Sequence, residues 1–143
     1  MGILSRMKTI FKSEVNASLD KVEDTEKMLN QTIVDMQEQL AKAKQQVAVA
    51  IADEKRLERQ YNDNQLQAEQ WMDKAKLAVQ KSNDELAKAA LERKVEYENL
   101  AIEYKKQWEA QKASVEKLKV SLHDLERKVD EARRQKDLLL ARN

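Results

Sequence analysis

The sequence predicts an all-α protein: an N-terminal amphipathic helix followed by a long antiparallel two-helix coiled-coil hairpin. Three observations carry that expectation. The 143 residues include no proline, no cysteine and one glycine, so turns and strands lack their usual punctuation. Ala, Glu, Lys, Gln, Arg and Leu dominate, and these residues lose least on entering a helix. Apolar residues also recur at alternating steps of four and three over two long stretches, the signature of a seven-residue coiled-coil repeat. Apolar content of 41% that includes so much alanine cannot wrap a single compact core. The lack of cysteine excludes a disulfide framework and fits a reducing compartment.

The first element is expected over residues 1–23. The opening MGILSRMKTIFKS holds three bases and no acid, although the whole chain carries a formal net charge of only +1; the remainder is therefore net acidic, at −2. On a helical wheel Ile3, Leu4, Met7, Ile10, Phe11 and Val15 fall within about 140°. Arg6 and Lys8 border that arc and Lys12 lies further round, which suits a helix whose apolar side chains enter the acyl boundary while its bases reach anionic headgroups. Glu14 falls inside the arc, so insertion should weaken after Phe11. The same stripe could instead pack on the chain's own hairpin or on a neighbour, because amphipathicity alone does not name its partner. The stretch does not read as a secretory signal, since its apolar residues never run more than two together and no small-residue cleavage site follows. Gly2 does not make a myristoylation site, because Arg6 stands where that motif wants Ser or Thr. No membrane span is expected either: the longest apolar run before the last residues is Val47 to Ala52, far short of the roughly 20 residues needed.

Residues 24–143 are expected to form the hairpin, with arms over about 25–81 and 83–143 and a turn near 81–85. The first walk runs Leu29, Ile33, Met36, Leu40, Ala43, Val47, Ala50, Glu54, Leu57, Tyr61, Asn64, Ala68, Trp71, Ala75, Ala78. The second runs Ala87, Ala90, Lys94, Tyr97, Ala101, Tyr104, Trp108, Gln111, Val115, Leu118, Leu122, Leu125, Val129, Ala132, Lys136, Leu139. Between them, Ser82 and Glu85 have the spacing of a capping box that would start a new helix. Folding back there pairs seam positions whose numbers sum to 165: Ala78 with Ala87, Ala68 with Tyr97, Tyr61 with Tyr104, Leu57 with Trp108, Leu40 with Leu125. It also sets Glu54 opposite Gln111, and Lys94 over the Trp71 ring, where an ammonium group could meet the π face. The competing arrangement, a parallel homodimer of one continuous helix, leaves the capping signal and the symmetric pairing without a reason.

Catalysis is not expected, because a two-helix hairpin has no cleft in which carboxylate pairs could be tuned for acid–base work. No cofactor or metal site is expected: glycine-rich phosphate loops and cysteine ligands are missing, and His123, the only histidine, should be a solvated surface residue. The charge clusters at Asp53–Arg59 and Arg133–Lys136 read as solvated flanks with i,i+4 pairs, and their balanced signs argue against nucleic acid as a partner.

MGILSRMKTIF, DTEKMLNQ and LAKAALERK resemble the phage-shock protein A family, which includes the vesicle-inducing proteins of plastids and cyanobacteria. QYNDNQLQAEQW looks closer to that plastid-type branch than to the enterobacterial one. The resemblance covers almost the whole chain. It implies an ESCRT-III-like membrane remodeller: a cytoplasmic protein, peripheral on the inner, plasma or thylakoid membrane, that polymerises into helical rods or rings on anionic lipid through its first helix. An alternative implied by the same family is a regulatory coiled coil that binds and inhibits an AAA+ transcription activator; a plain coiled-coil spacer is a third reading. Two departures stand out. The family usually has Asp-Pro-Glu where this chain has Asp24-Thr25-Glu26, so Asp24 would have to cap the first arm without a proline behind it. Family members also continue into further helices, whereas this chain stops at Asn143 just after Leu138, Leu139 and Leu140, as a piece of a longer chain would.

Overall fold

A computed structural model describes residues 19–141, with side chains from Glu23 onward. They form two helices, α1 (Leu19–Gln80, 62 residues) and α2 (Asp84–Ala141, 58 residues), and no strand among the described residues. The chain is already helical at Leu19 and passes Asp24 and Thr25 without a break, so Asp24 does not cap the arm. The missing proline explains the difference: Thr25 keeps the N–H that an interior helical position needs, and its side chain is buried.

The turn comes where expected, but its capping residue is shifted by one. The Ser82 N–H donates to the Val79 carbonyl at 3.0 Å and the Asn83 N–H to the Ala78 carbonyl at 2.9 Å. This pair of bonds is a Schellman motif, which requires a left-handed residue just past the helix end, and Ser82 supplies it with φ 56°. Ser82 is therefore spent on ending α1 and cannot start α2. Asn83 does that instead: its Oδ1 accepts from the Leu86 N–H at 3.2 Å, and its carbonyl accepts from the Ala87 N–H at 3.0 Å. Leu86 now holds the position where a capping box would want an acid, so Glu85 makes no reciprocal bond of that motif. Asp84 and Glu85 still favour the first turn of α2 through the helix dipole.

Both turn residues give measurable expectations. Ser82→Gly should stabilise the chain by about 1 kcal/mol, because glycine removes the Cβ clash of a left-handed residue. Asn83→Ala should cost about 1 kcal/mol through the lost cap. Urea midpoints would register both; a Ser82→Gly midpoint no higher than the parent's would contradict the left-handed assignment.

The described residues fall into two packed units. In the first, built from the residues before Val47 and after Leu118, Leu29, Ile33, Met36, Val129 and Ala132 form a buried cluster with Leu40 packed against it. Ile33 with Ala132 and Met36 with Val129 obey the sum of 165. At the edge of this seam the Gln37 side-chain oxygen, with its amide turned to satisfy both groups, accepts from the Arg133 guanidinium.

The second unit, Val47–Leu118, is a hairpin whose buried residues are nearly all small: Ala50, Ala68, Ala75, Ala78, Ala87, Ala90 and Ala101 join Val47 and Val115. Alanine at the contact lets two helices approach closely, and that leaves larger neighbours such as Leu77 and Leu86 on the flanks. Tyr61 stacks on Trp108, with ring centroids 5.8 Å apart and planes 24° from parallel. The expected partners were Tyr104 for Tyr61 and Leu57 for Trp108, so each ring is displaced by one turn. Helical side chains lean toward their own N-terminus. In an antiparallel pair that lean carries Tyr61 and Trp108 toward one another. Gln111 Nε2 donates to the Ala50 carbonyl at 3.1 Å. That oxygen points up α1 to the level of Glu54, the residue expected opposite Gln111, so the glutamine is satisfied by backbone rather than by the facing side chain.

Candidate membrane and self-association surfaces

Ile3, Leu4, Arg6, Met7, Lys8, Ile10, Phe11, Lys12 and Val15, the residues expected to meet lipid, lie outside the described residues. The expected seam residues can all be placed. In the first unit Leu40 and Leu125 are half-buried. In the second Val47 is buried, and Leu57, Tyr61, Trp71, Tyr97, Tyr104, Trp108 and Leu118 are half-buried. No residue of either walk is exposed, and that includes its polar members Glu54, Asn64, Lys94, Gln111 and Lys136. Half-burial is what two helices can offer a large side chain, since each seam is covered from one direction only. Two side-chain atoms here, Gln60 Oε1 and Trp108 Nε1, are buried without a hydrogen-bond partner.

Lys94 does not meet Trp71. Its Nζ lies 3.4 Å from Glu98 Oε1, and the cation over the Trp71 ring is Lys74, 4.2 Å from the centroid. The ring turns to the flank carrying Lys74, while Lys94 extends along the other. Lys105 and Lys112 cover Tyr61 and Trp108 at 5.8 Å and 5.5 Å, so three of the large rings carry a lysine. The exposed charges pair within their own helices: Arg56 with Asp53 at 3.9 Å, Lys55 with Glu58 at 3.4 Å and Arg127 with Asp124 at 2.8 Å. All three are i,i+3 contacts, and the first two lie in the Asp53–Arg59 cluster, where i,i+4 contacts were expected; exposed pairs of this kind contribute little stability. His123 is exposed, and the described residues contain no acid, histidine or cysteine group able to hold a metal ion.

Apolar residues off the seams face outward. In the first unit Met28, Val34, Val120 and Leu138 are exposed. In the second, Val49, Leu66, Leu77, Val79, Leu86, Leu91, Val95, Leu100 and Ile102 are. Ile51, also off the seam, is half-buried beside Ala50. Leu77, Leu86 and Val95 were not singled out from the sequence; the signal was present in the alanines beside the first two, Ala78 and Ala87, which hold the contact and push the leucines aside.

Residues 2–143 match the PspA/IM30 family throughout. The chain is a member of that family. Among PspA/IM30 relatives, the membrane-associated protein Vipp1 of Nostoc punctiforme is 44% identical over 142 residues, which is 99% of this chain and 55% of that protein. The chloroplastic membrane-associated protein VIPP1 of Arabidopsis thaliana is 36% identical over 99% of this chain and 43% of its own length. A phage shock protein A homologue from Deinococcus radiodurans is 34% identical over 99% of this chain and 64% of its own length. The chain thus spans about half the length of the curated relatives it matches. The family resemblance drawn from MGILSRMKTIF, DTEKMLNQ and LAKAALERK is correct. No described helix of this PspA/IM30 chain is long and apolar enough to cross a membrane.

Proposed function

We propose that the chain is a membrane-associated scaffold that polymerises with copies of itself on anionic membranes and thereby protects, maintains or remodels them. Residues 1–23 serve as the lipid-facing helix, and residues 24–143 as the hairpin that meets neighbouring copies on the cytoplasmic side of a plasma or thylakoid membrane. The observation that carries this reading is the acid-free opening stretch with its apolar arc and three bases, in a chain whose Vipp1 relatives are named membrane-associated. Three bases at about 1 kcal/mol each near an anionic surface, with partial burial of the apolar arc, give reversible binding for one copy. A polymer strengthens it through avidity.

Polymerisation is supported by the exposed apolar rows, since a monomer has no use for so many large apolar side chains in water. Vesicle pelleting with and without anionic lipid tests the membrane half of the proposal. Sedimentation velocity tests the other half: replacing Leu66 and Ile102 with Gln should shift the chain toward small species, and an unchanged distribution would count against the scaffold. A coiled coil whose task is to hold down an AAA+ transcription activator would stay small before any mutation and would pull that partner down instead.

A further inference from the structure

Two grooves lie on opposite flanks of the second unit, and their chemistry differs. One, of about 440 Å³, is lined by Tyr61, Met72 and Ile102 together with two acids and two bases: Glu69 and Glu98, Lys94 and Lys105. Its charge is balanced, and Lys94 is already engaged by Glu98. The other, of about 220 Å³, opens beside the turn. Trp71, Leu77, Leu86 and Ala90 form its apolar lining, Lys74 and Lys81 are its only charged groups, and no carboxylate lines it. Neither lysine pairs with an acid, because the lysines held in ion pairs within this unit are Lys55 and Lys94. Leu77 and Leu86 are more than half exposed, at 51% and 56%. Asn83 also lines the groove; its Oδ1 and its carbonyl accept from the start of α2, and the only charged groups at the rim are the two ammonium groups.

An apolar slot with two ammonium groups that no acid engages, one of them resting over the Trp71 indole at its edge, matches an anionic amphiphile: the ammonium groups take the phosphate, the leucines the first carbons of the chain, and the indole the boundary between them. We propose that this groove at the hairpin turn is a second membrane contact, one that seats an anionic phospholipid of the bilayer surface. The proposal rests on the membrane reading above and adds to it a site that is separate from the opening helix. Asp84 and Glu85 lie next to the turn but line none of the groove, so the site favours headgroups whose phosphate can reach Lys74 and Lys81 from the Trp71 side.

Trp71 reports on its own occupancy once Trp108, the other tryptophan, is replaced by Phe. The chain carrying Trp108→Phe is mixed with vesicles of phosphatidylcholine and phosphatidylglycerol that contain a lipid with a doxyl group high on the acyl chain, and pelleting is measured on the same samples. The expected result is quenching of Trp71 with anionic vesicles and none with phosphatidylcholine alone. Lys74→Gln together with Lys81→Gln should raise the anionic lipid needed for half-maximal quenching by about 30-fold, since each base near the surface contributes about a fivefold change. Leu77→Gln with Leu86→Gln should weaken quenching while helical content holds. If the chain pellets with anionic vesicles but Trp71 is not quenched, the groove proposal is overturned and the opening helix remains the membrane contact. If the chain does not pellet, both readings fall. A Trp71 emission shift that follows protein concentration without vesicles would assign the groove to a second copy and overturn the lipid proposal.

Discussion

Replacing Ile10 and Phe11 with Glu is expected to abolish binding to anionic vesicles while leaving the helical content of the chain nearly unchanged. Phe11 falls near the middle of the apolar arc and Ile10 at its edge. Withdrawing both from the acyl boundary removes about 3–6 kcal/mol of burial. The two new carboxylates also face the headgroups that Arg6, Lys8 and Lys12 would otherwise meet. Neutralising those three bases should by itself cost up to about 3 kcal/mol per copy. Raising salt should reproduce that loss, because exposed charges are screened within roughly 8–10 Å. A helix buried in a protein interface would respond far less to salt. If the Ile10→Glu, Phe11→Glu chain bound anionic vesicles like its parent but lost its self-association, the opening helix would be an assembly element and the membrane proposal would be wrong.

The helical class and the fold-back were legible because they follow from two strong local signals, period and punctuation. A chain without proline, with an apolar residue every three or four positions, has few ways to bury that row other than against a second such row. Asn83 as the cap was not legible. Ser82 and Asn83 are both good cap residues, and choosing between them depends on how α1 ends: the left-handed residue that closes its carbonyls must come first. The Tyr61–Trp108 stack was missed because the sum rule pairs Cα positions and ignores the lean of long side chains. Trp71 and Lys94 share a level but not a flank, and numbers along a helix do not show which way a half-buried ring will turn. The outward leucines at the turn are a consequence of alanine contacts, legible in hindsight from Ala78 and Ala87.

Leu29→Ala is expected to be among the most costly single changes in the chain, at about 2–5 kcal/mol. Most of the seam is small or half-buried, so few positions hold a large side chain that is wholly removed from water. Leu29, 1% exposed, is one, and it sits at the end of the cluster with Ile33, Met36, Val129 and Ala132. Truncation leaves a gap that two helices close poorly: each is held straight by its own hydrogen bonds, and Ala132 of the same cluster is too small to fill it. By contrast Val34, 44% exposed on the same helix, should tolerate Ala within about 0.5 kcal/mol. Amide exchange separates the two cases. Leu29→Ala should lower protection across residues 25–40 and 125–139, whereas Val34→Ala should leave it in place. Equal effects from both would mean that the first unit is not held by this cluster, and that its seam contributes no more than its exposed flank.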